Sequence, residues 1–426
     1  MKKWLLRISL GFLAVVVLLY VFVLMRALAP VDVHDEELRV VRVTIPQGSN
    51  AFDVLQEAGS HVWWPKDLEK QISNLANNTN WDDALANTIL LSNRQALASW
   101  DAAAKMPDLQ VPEVNSCEDL LPYLRVWRNL SQFASVRENY LLHSGLDKEA
   151  FDQMVSQFRL GRRMQNANGV LIVYLVGTAV NNIGLTQMQR WVGKTHLDPR
   201  QLKDYIRELE LQPDEEAAAF ANSARADYHE MIGTVDAFRK GKIHDVESGG
   251  YYPRPKLLRP VLPVFNFNKT KALLAKPYLV MVKAAPHSYN EVKLPDMDSQ
   301  PGKVSLILSG NVVGQILYDM MAPAVEDILV KKSKGDVQLQ ATRTILALRA
   351  YQLTHGHLPA DLAALVPEFL EAVPVDDFDG QPLHYSAERK IVYSVGKNLK
   401  DDGGDDRNSE ADSSKNHLDL VYRFDF

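Results

Sequence analysis

Apolar residues recur at three- and four-residue spacing through much of the first 240 positions, the period of an amphipathic helix. From Trp81 to Lys105 the stripe is Leu85, Ile89, Leu90, Ala96, Leu97 and Trp100, and Met106-Pro107 stops it. From Asp119 to His143 it is Leu120, Leu124, Trp127, Leu130, Phe133 and Leu141. Asp147 opens a further helix through Phe151, Met154, Val155, Phe158 and Leu160. Ser49 or Asn50 is the expected N-cap of an earlier helix that ends near Trp63-Trp64-Pro65. Two more helices are predicted over Pro199 to Leu211 and Pro213 to Lys240, each with Pro in its first turn. The pattern predicts an array of paired helices from about Asn50 to Lys240, solenoid- or bundle-like.

Two stretches are apolar all round. Ile8 to Met25 is an uncharged run of 18 residues. As a helix it rises about 27 Å, close to the hydrocarbon thickness of a bilayer. Lys2, Lys3 and Arg7 precede it, which places the N-terminus in the cytoplasm and the bulk of the chain beyond the membrane. Residues 4–25 are therefore expected to be a retained single-pass anchor, with the remaining chain outside the cytoplasm. Ala27-Leu28-Ala29 resembles a signal-peptidase site, but Pro30 would follow the scissile bond. The second stretch, Val170 to Val180, is interrupted by Asn181-Asn182 and reads as a buried core helix.

Beyond Lys240 the pattern changes. Residues 241–267 contain Gly249-Gly250 and four prolines, a break in the helical run. Asn268 is expected to cap a helix to Val282 that Pro277 kinks or shortens. One helix is predicted from Asn311 to Met321, and a second, long one from Pro323 to His355. Short strands follow over Leu383 to Ser386, Ile391 to Val395 and Leu418 to Phe424. The expected organisation is an anchor and spacer (1–38), a helical domain (39–322) and a C-terminal α+β module (323–426). The fold class is mainly α.

Composition narrows the function. The 426 residues carry 47 basic and 53 acidic side chains, a net charge of −6, and four of the cations sit in the first 26 residues. That excludes nucleic acid as a main partner, because phosphate binding needs a concentrated basic surface. A single cysteine, Cys117, permits no intramolecular disulfide and no multi-Cys metal site. Catalytic motifs are incomplete. His229-Glu230 lacks the second His of a zinc-protease helix, Gly233 standing in its place. Gly193-Lys194-Thr195 lacks the first Gly of a P-loop, position 188 being Met. Ser394-x-x-Lys397, and the pair His355 and His357, read as structural.

The C-terminal order of features resembles the globular part of the major pseudopilin of type II secretion systems. The resemblance is carried by Ala347-Leu348-Arg349-Ala350-Tyr351-Gln352-Leu353, His355 to Pro359, Leu365-Val366, the Pro374 to Gly380 turn, and Tyr393-Ser394-Val395-Gly396 before a Gly/Asp-rich loop. The chain departs from a pseudopilin at its N-terminus: after Gly11-Phe12 the fifth position is Val16 rather than Glu, so pilin-like processing is not expected. Asp82 to Ala96, Gly145 to Phe151, Leu175-Val176-Gly177, Phe267-Asn268-Lys269-Thr270 and Asn311 to Pro323 are similar to membrane-anchored bacterial envelope proteins that join a helical domain to such a C-terminus.

Residues 396–419 hold seven acids, and oxygen ligands in a Gly-rich loop suit Ca²⁺. The pseudopilin resemblance implies a calcium site there, with Asn398, the Val395 carbonyl, Asp401 or Asp402, and Asp419 as ligands. The functional expectation is a non-enzymatic, membrane-anchored envelope protein. Its helical domain serves as a scaffold for an envelope protein partner, and its C-terminal module is calcium-stabilised. The alternatives are an envelope hydrolase with a site assembled from distant residues, and an accessory factor of a secretion or pilus-like system. A deep pocket with converging His and carboxylates would favour the hydrolase; a broad exposed patch at Trp63 and Trp64 would favour the scaffold.

Overall fold

The computed structural model describes residues 2–41, 44–46, 48–210, 213–240, 265–294, 308–405 and 419–426. Most of the Gly/Pro-rich break, Gln212 (the residue expected to cap the helix from Pro213) and residues 406–418 of the acidic loop lie outside the described residues. The described chain is mainly helical, with twelve α-helices and one three-stranded antiparallel sheet. Helix α1 is Lys2–Leu28, followed by α2 (Ala51–Ser60), α3 (Glu69–Ala76), α4 (Asp83–Ser92), α5 (Arg94–Lys105) and α6 (Tyr123–His143). Then come α7 (Asp147–Gln165), α8 (Leu171–Trp191), α9 (Pro199–Glu208), α10 (Pro213–Lys240), α11 (Phe267–Ala284) and α12 (Val312–His355). Strands β1 (His384–Ser386), β2 (Ile391–Ser394) and β3 (Leu420–Arg423) pair in the order β1-β2-β3, with Tyr393 opposite both His384 and Val421.

Local chemistry sets many of the ends. Asn50 caps α2 by accepting from the Phe52 N–H, and Asp198 forms a capping box with Gln201 at the start of α9. Gly356 closes α12 at φ +80, a left-handed conformation that favours glycine.

Four helix boundaries differ from the sequence expectation. The stripe from Trp81 to Lys105 is two helices, parted at Asn93. That side chain is fully buried; its Oδ1 accepts from the Trp63 N–H and its Nδ2 donates to the Trp63 and Ile89 carbonyls, so the chain turns around it. Asp119 accepts from the Asn115 and Ser116 N–H groups and closes a turn, which delays α6 to Tyr123. Helix α11 starts after Asn266, not Asn268, and runs past Pro277, which is buried in its packing face. The expected stop near Ala322-Pro323 is absent, and α12 is one helix of 44 residues. Packing along these helices outweighs the local penalty of proline.

The core has three parts. The first is built by α2 to α8, the second by α7 to α9 with the C-terminal half of α12 and the sheet, and the third by α8, α10, α11, the N-terminal half of α12 and Leu38. Only α8 contributes generously to all three: Val173, Val176 and Val180 to the first, Leu185 and Met188 to the second, Leu171 and Tyr174 to the third. The apolar stretch at Val170 to Val180 is thus a buried core helix. The whole helical span Leu171–Lys194 is long and apolar enough to cross a membrane, but about two thirds of its most apolar part is buried in the protein (67%). Helices arranged about a common central helix form a bundle, unlike a solenoid in which each repeat touches only its neighbours.

Helix α8 enters this position through glycine. A Cβ on Gly177 would lie 2.7 Å from the Gly161 carbonyl and 2.7 Å from the Gln165 nitrogen, and one on Gly161 would lie 2.8 Å from the Gly177 carbonyl. Gly184 faces the Met154 carbonyl at 3.0 Å in the same sense. Asp227 of α10 supplies the cap that Val170 cannot: it accepts from the Leu171 N–H at 3.0 Å and from the Tyr278 hydroxyl of α11 at 2.8 Å. Gly177→Ala is expected to force α7 and α8 apart. Overpacking costs about 1–3 kcal/mol, more than the ~1 kcal/mol that alanine adds in helix propensity. A lowered midpoint in thermal or denaturant unfolding checks this; an unchanged or raised midpoint would show that the helices yield freely.

Candidate functional site

Among the described residues, buried ionisable groups gather where α7, α8, α10 and α12 meet the turn at Asp376–Gly380. Arg162 of α7 reaches Glu216 of α10 at 3.1 Å and donates to Gln165 at 2.7 Å. Lys332 of α12, 5% exposed, pairs with Asp336 one turn on at 2.8 Å and with Asp377 of the turn at 3.3 Å. Glu216 faces Asp336, whose charge acts on it, and this completes the chain of charges. Gln165 also receives Asn181 at 2.9 Å and donates to Thr178 at 2.7 Å. All of these except Asp377 line a cavity of ≈ 10 Å³, at the limit for one water.

Two cations face three carboxyls here, so one carboxyl must carry a proton for the cluster to be neutral. Burial, and then the neighbouring Asp336 charge, push the Glu216 carboxyl up to about 8. Burial raises Asp377 to about 6 against the pull of Lys332. The Lys332 ammonium loses by burial, yet Asp336 and Asp377 more than compensate and hold it charged. The arrangement can share a proton and lock elements together; it has no room for an organic substrate.

This cluster was not recognised in the sequence, although the i,i+4 pair Lys332 and Asp336 inside a long apolar helix was a signal for it. The Pro374 to Gly380 turn was recognised, and Asp376 organises it. Fully buried, Asp376 accepts from the Phe378 and Val395 N–H groups and from the Ser394 hydroxyl, each at 2.9 Å, and so fastens the turn to β2. Ser394 is thereby a structural donor, and Lys397 pairs with Glu326 at 3.0 Å.

The expected calcium ligands sit as follows. Asn398 donates to Asp402 at 2.8 Å, and Lys400 pairs with the other Asp402 oxygen at 2.9 Å. Asp419, buried just before β3, accepts from the Asp402 N–H at 3.2 Å and from the Gly404 N–H at 2.6 Å. Asp401 accepts from the Gly403 N–H at 2.8 Å and faces His384 at 3.6 Å. Val395 enters through its N–H, bound to Asp376. Asn398, Asp402 and Asp419 gather with Asp401 beside them, while Val395 is shown only against Asp376, and each carboxylate of the group faces N–H donors. Among the described residues no group of three or more His, Cys, Asp or Glu is arranged to hold a metal ion. Burial, and next Asp401 and Asp402 beside it, raise the Asp419 carboxyl, while its two backbone partners lower it.

The other candidates are placed apart. His229 pairs with Glu113 at 3.1 Å on the surface, and Lys194 with Asp425 at 3.3 Å. His355 stacks on Tyr351 with ring centroids 4.1 Å apart. Cys117 is exposed, its N–H donating to Thr234. Trp64 packs on Phe133 at 5.3 Å, and Trp63 is 41% exposed, so the two do not form one open patch. No family model matches the chain, and no curated protein or solved structure matches it.

Glu138 of α6 is a second buried carboxyl, with neither oxygen hydrogen-bonded, and burial pushes it up to about 8. The unfolded carboxyl releases its proton near 4.5, so between these values the folded chain holds more protons than the unfolded one. Stability from Glu138 and Glu216 is therefore present below pH 4.5 and falls as pH rises toward 8. Glu138→Gln is expected to flatten this fall in denaturant midpoints measured from pH 5 to 9; an equally steep fall would show that Glu138 is ionised in the fold. Lys332→Met leaves two buried carboxylates without their cation and is expected to cost about 3–5 kcal/mol in the same assay.

Proposed function

We propose that the chain is a membrane-anchored bacterial envelope protein whose helical bundle is a scaffold for a protein partner, not an enzyme. The observation that supports it most is the way α1 joins the rest. Gly11–Leu28 is long and apolar enough to cross a membrane and is largely exposed, whereas its last turn is hydrogen-bonded to the bundle. A bundle held so closely to an anchor presents its faces at fixed height and orientation, which suits capture of a neighbouring envelope protein. The N-terminus in the cytoplasm and the bundle in the periplasm follow from Lys2, Lys3 and Arg7. A second reading, an accessory factor of a secretion or pilus-like system, is supported by the order of long helix, buried-Asp turn and antiparallel sheet at the C-terminus.

A reporter active only outside the cytoplasm, fused after Phe426, is expected to be active in a Gram-negative host, with the protein retained in the membrane after salt washing. Release of a soluble form shortened by ~29 residues would identify α1 as a cleaved signal sequence instead.

The proposal includes calcium at the C-terminal loop, carried by the mutual repulsion of Asp401, Asp402 and Asp419; the ion would replace N–H partners of these acids. Extracytoplasmic sites bind at about 10⁻⁴ to 10⁻³ M. Full-length protein in detergent is expected to melt several degrees higher in excess Ca²⁺ than in chelator, a gain that Asp402→Ala and Asp419→Ala shrink. Identical melting would leave a loop closed by its own N–H donors.

A further inference from the structure

The end of α1 is bound to the starts of both α11 and α12. Asn266 caps α11 through Oδ1 and donates from Nδ2 to the Ala27 carbonyl at 2.5 Å. Asn311, immediately before α12, accepts from the Asn266 N–H and the Thr270 hydroxyl, each at 2.9 Å. Lys269 donates to the Arg26 carbonyl. Gly310, at φ +66, lies so close that a Cβ would stand 2.8 Å from the Ala27 Cα. The spacer is pinned as well: Asp35 receives Lys271 at 2.7 Å and Tyr228 at 2.8 Å, and Leu38 is buried in the third core. Val23 and Ala27 are each only 3% exposed, whereas Phe12 to Phe22 lie open. The bundle therefore covers one face of the last two turns of α1, through Val23 and Ala27, where the helix meets the edge of a bilayer.

Helix α12 begins at this junction with Val312-Val313-Gly314-Gln315-Ile316-Leu317-Tyr318-Asp319-Met320-Met321. Leu317 and Met321 pack into the third core. Ile316 and Met320, one turn apart, point away from it and are 45% and 63% exposed. Met320 lies nine residues beyond Asn311, about 13 Å along the helix. An apolar helical face so near an anchor meets lipid first, since amphipathic helices seat about 5–10 Å into the headgroup and acyl boundary.

We propose that the first three turns of α12 rest in the lipid headgroup layer, with Ile316 and Met320 against the acyl boundary, so that the bundle lies on the membrane surface. This rests on α1 being the anchor. The patch starts at the junction where α12 meets the end of α1, and Met25 and Leu28 at that end of α1 are themselves 67% and 73% exposed, which favours lipid over a protein occupant.

The test uses the full chain in phosphatidylcholine–phosphatidylglycerol nanodiscs, in a Cys117→Ser background. An environment-sensitive fluorophore is placed in turn by Leu18→Cys, Ile316→Cys, Met320→Cys and, as the reference on α4, Leu91→Cys. Spin-labelled lipid quenches probes in contact with the bilayer. Blue-shifted emission and lipid quenching at 316 and 320, absent at 91, support the proposal. Quenching at 18 with water-like, unquenched emission at 316 and 320 overturns it and leaves the anchor intact. Blue-shifted but unquenched emission at 316 and 320 also overturns it, in favour of a protein occupant. Loss of quenching at 18 itself removes the anchor reading and the proposal with it. Circular dichroism of each labelled chain confirms that its fold is kept.

Discussion

The architecture depends on the backbone-to-backbone approach of α7 and α8. Gly161, Gly177 and Gly184 let the two helices come closer than any side chain would permit. That proximity sets α8 deep enough to feed three cores at once. Gly335 repeats the device where α12 crosses α8, beside Thr178, a Cβ there being 2.9 Å from the Thr178 methyl. Dispersion forces fall steeply with separation, so the benefit of such contacts depends on their closeness. The polar side chains at the crossing, Gln165, Thr178 and Asn181, then find one another by geometry rather than by long-range attraction.

The charged cluster beside this crossing has a different role. Buried ion pairs seldom add much net stability, because desolvation offsets their attraction. They do penalise every arrangement in which one partner is missing. Lys332 has its two acids only when α12 and the Asp376–Gly380 turn meet in one register, and Glu216 meets Arg162 only when α10 lies alongside α7. The cluster thus selects one mutual placement of bundle and C-terminal sheet among the many that apolar contact alone would tolerate.

Most of the helices were legible in the sequence because their stripes and caps are local. Asn50, Asp198 and Gly356 announce ends through chemistry that acts within one turn. The elements that were misread are those whose ends are decided by distant residues. Asn93 breaks a helix because Trp63, thirty positions away, needs its side chain. Pro277 and Pro323 do not break theirs, because packing along the flanking turns outweighs a local cost. The acidic loop was visible as composition, but the N–H donors that meet Asp402 and Asp419 depend on how the loop folds. The buried cluster joins residues 162, 216, 332, 336 and 377, and only the pair on α12 are neighbours in sequence.

Helix α12 spans both ends of the molecule. Its first residues share hydrogen bonds with the end of α1, and its last turns lie in the same core as the sheet. At 1.5 Å per residue, its 44 residues form a rod of about 66 Å. Because the core residues and the Lys332 cluster tie this rod to its neighbours along its length, it moves only with the bundle as one body. A tilt of that body by roughly 5° about Asn266 and Asn311 would carry the C-terminal sheet through ~6 Å, by the geometry of a rod of that length. Force applied at the sheet would return to the junction as torque on α1.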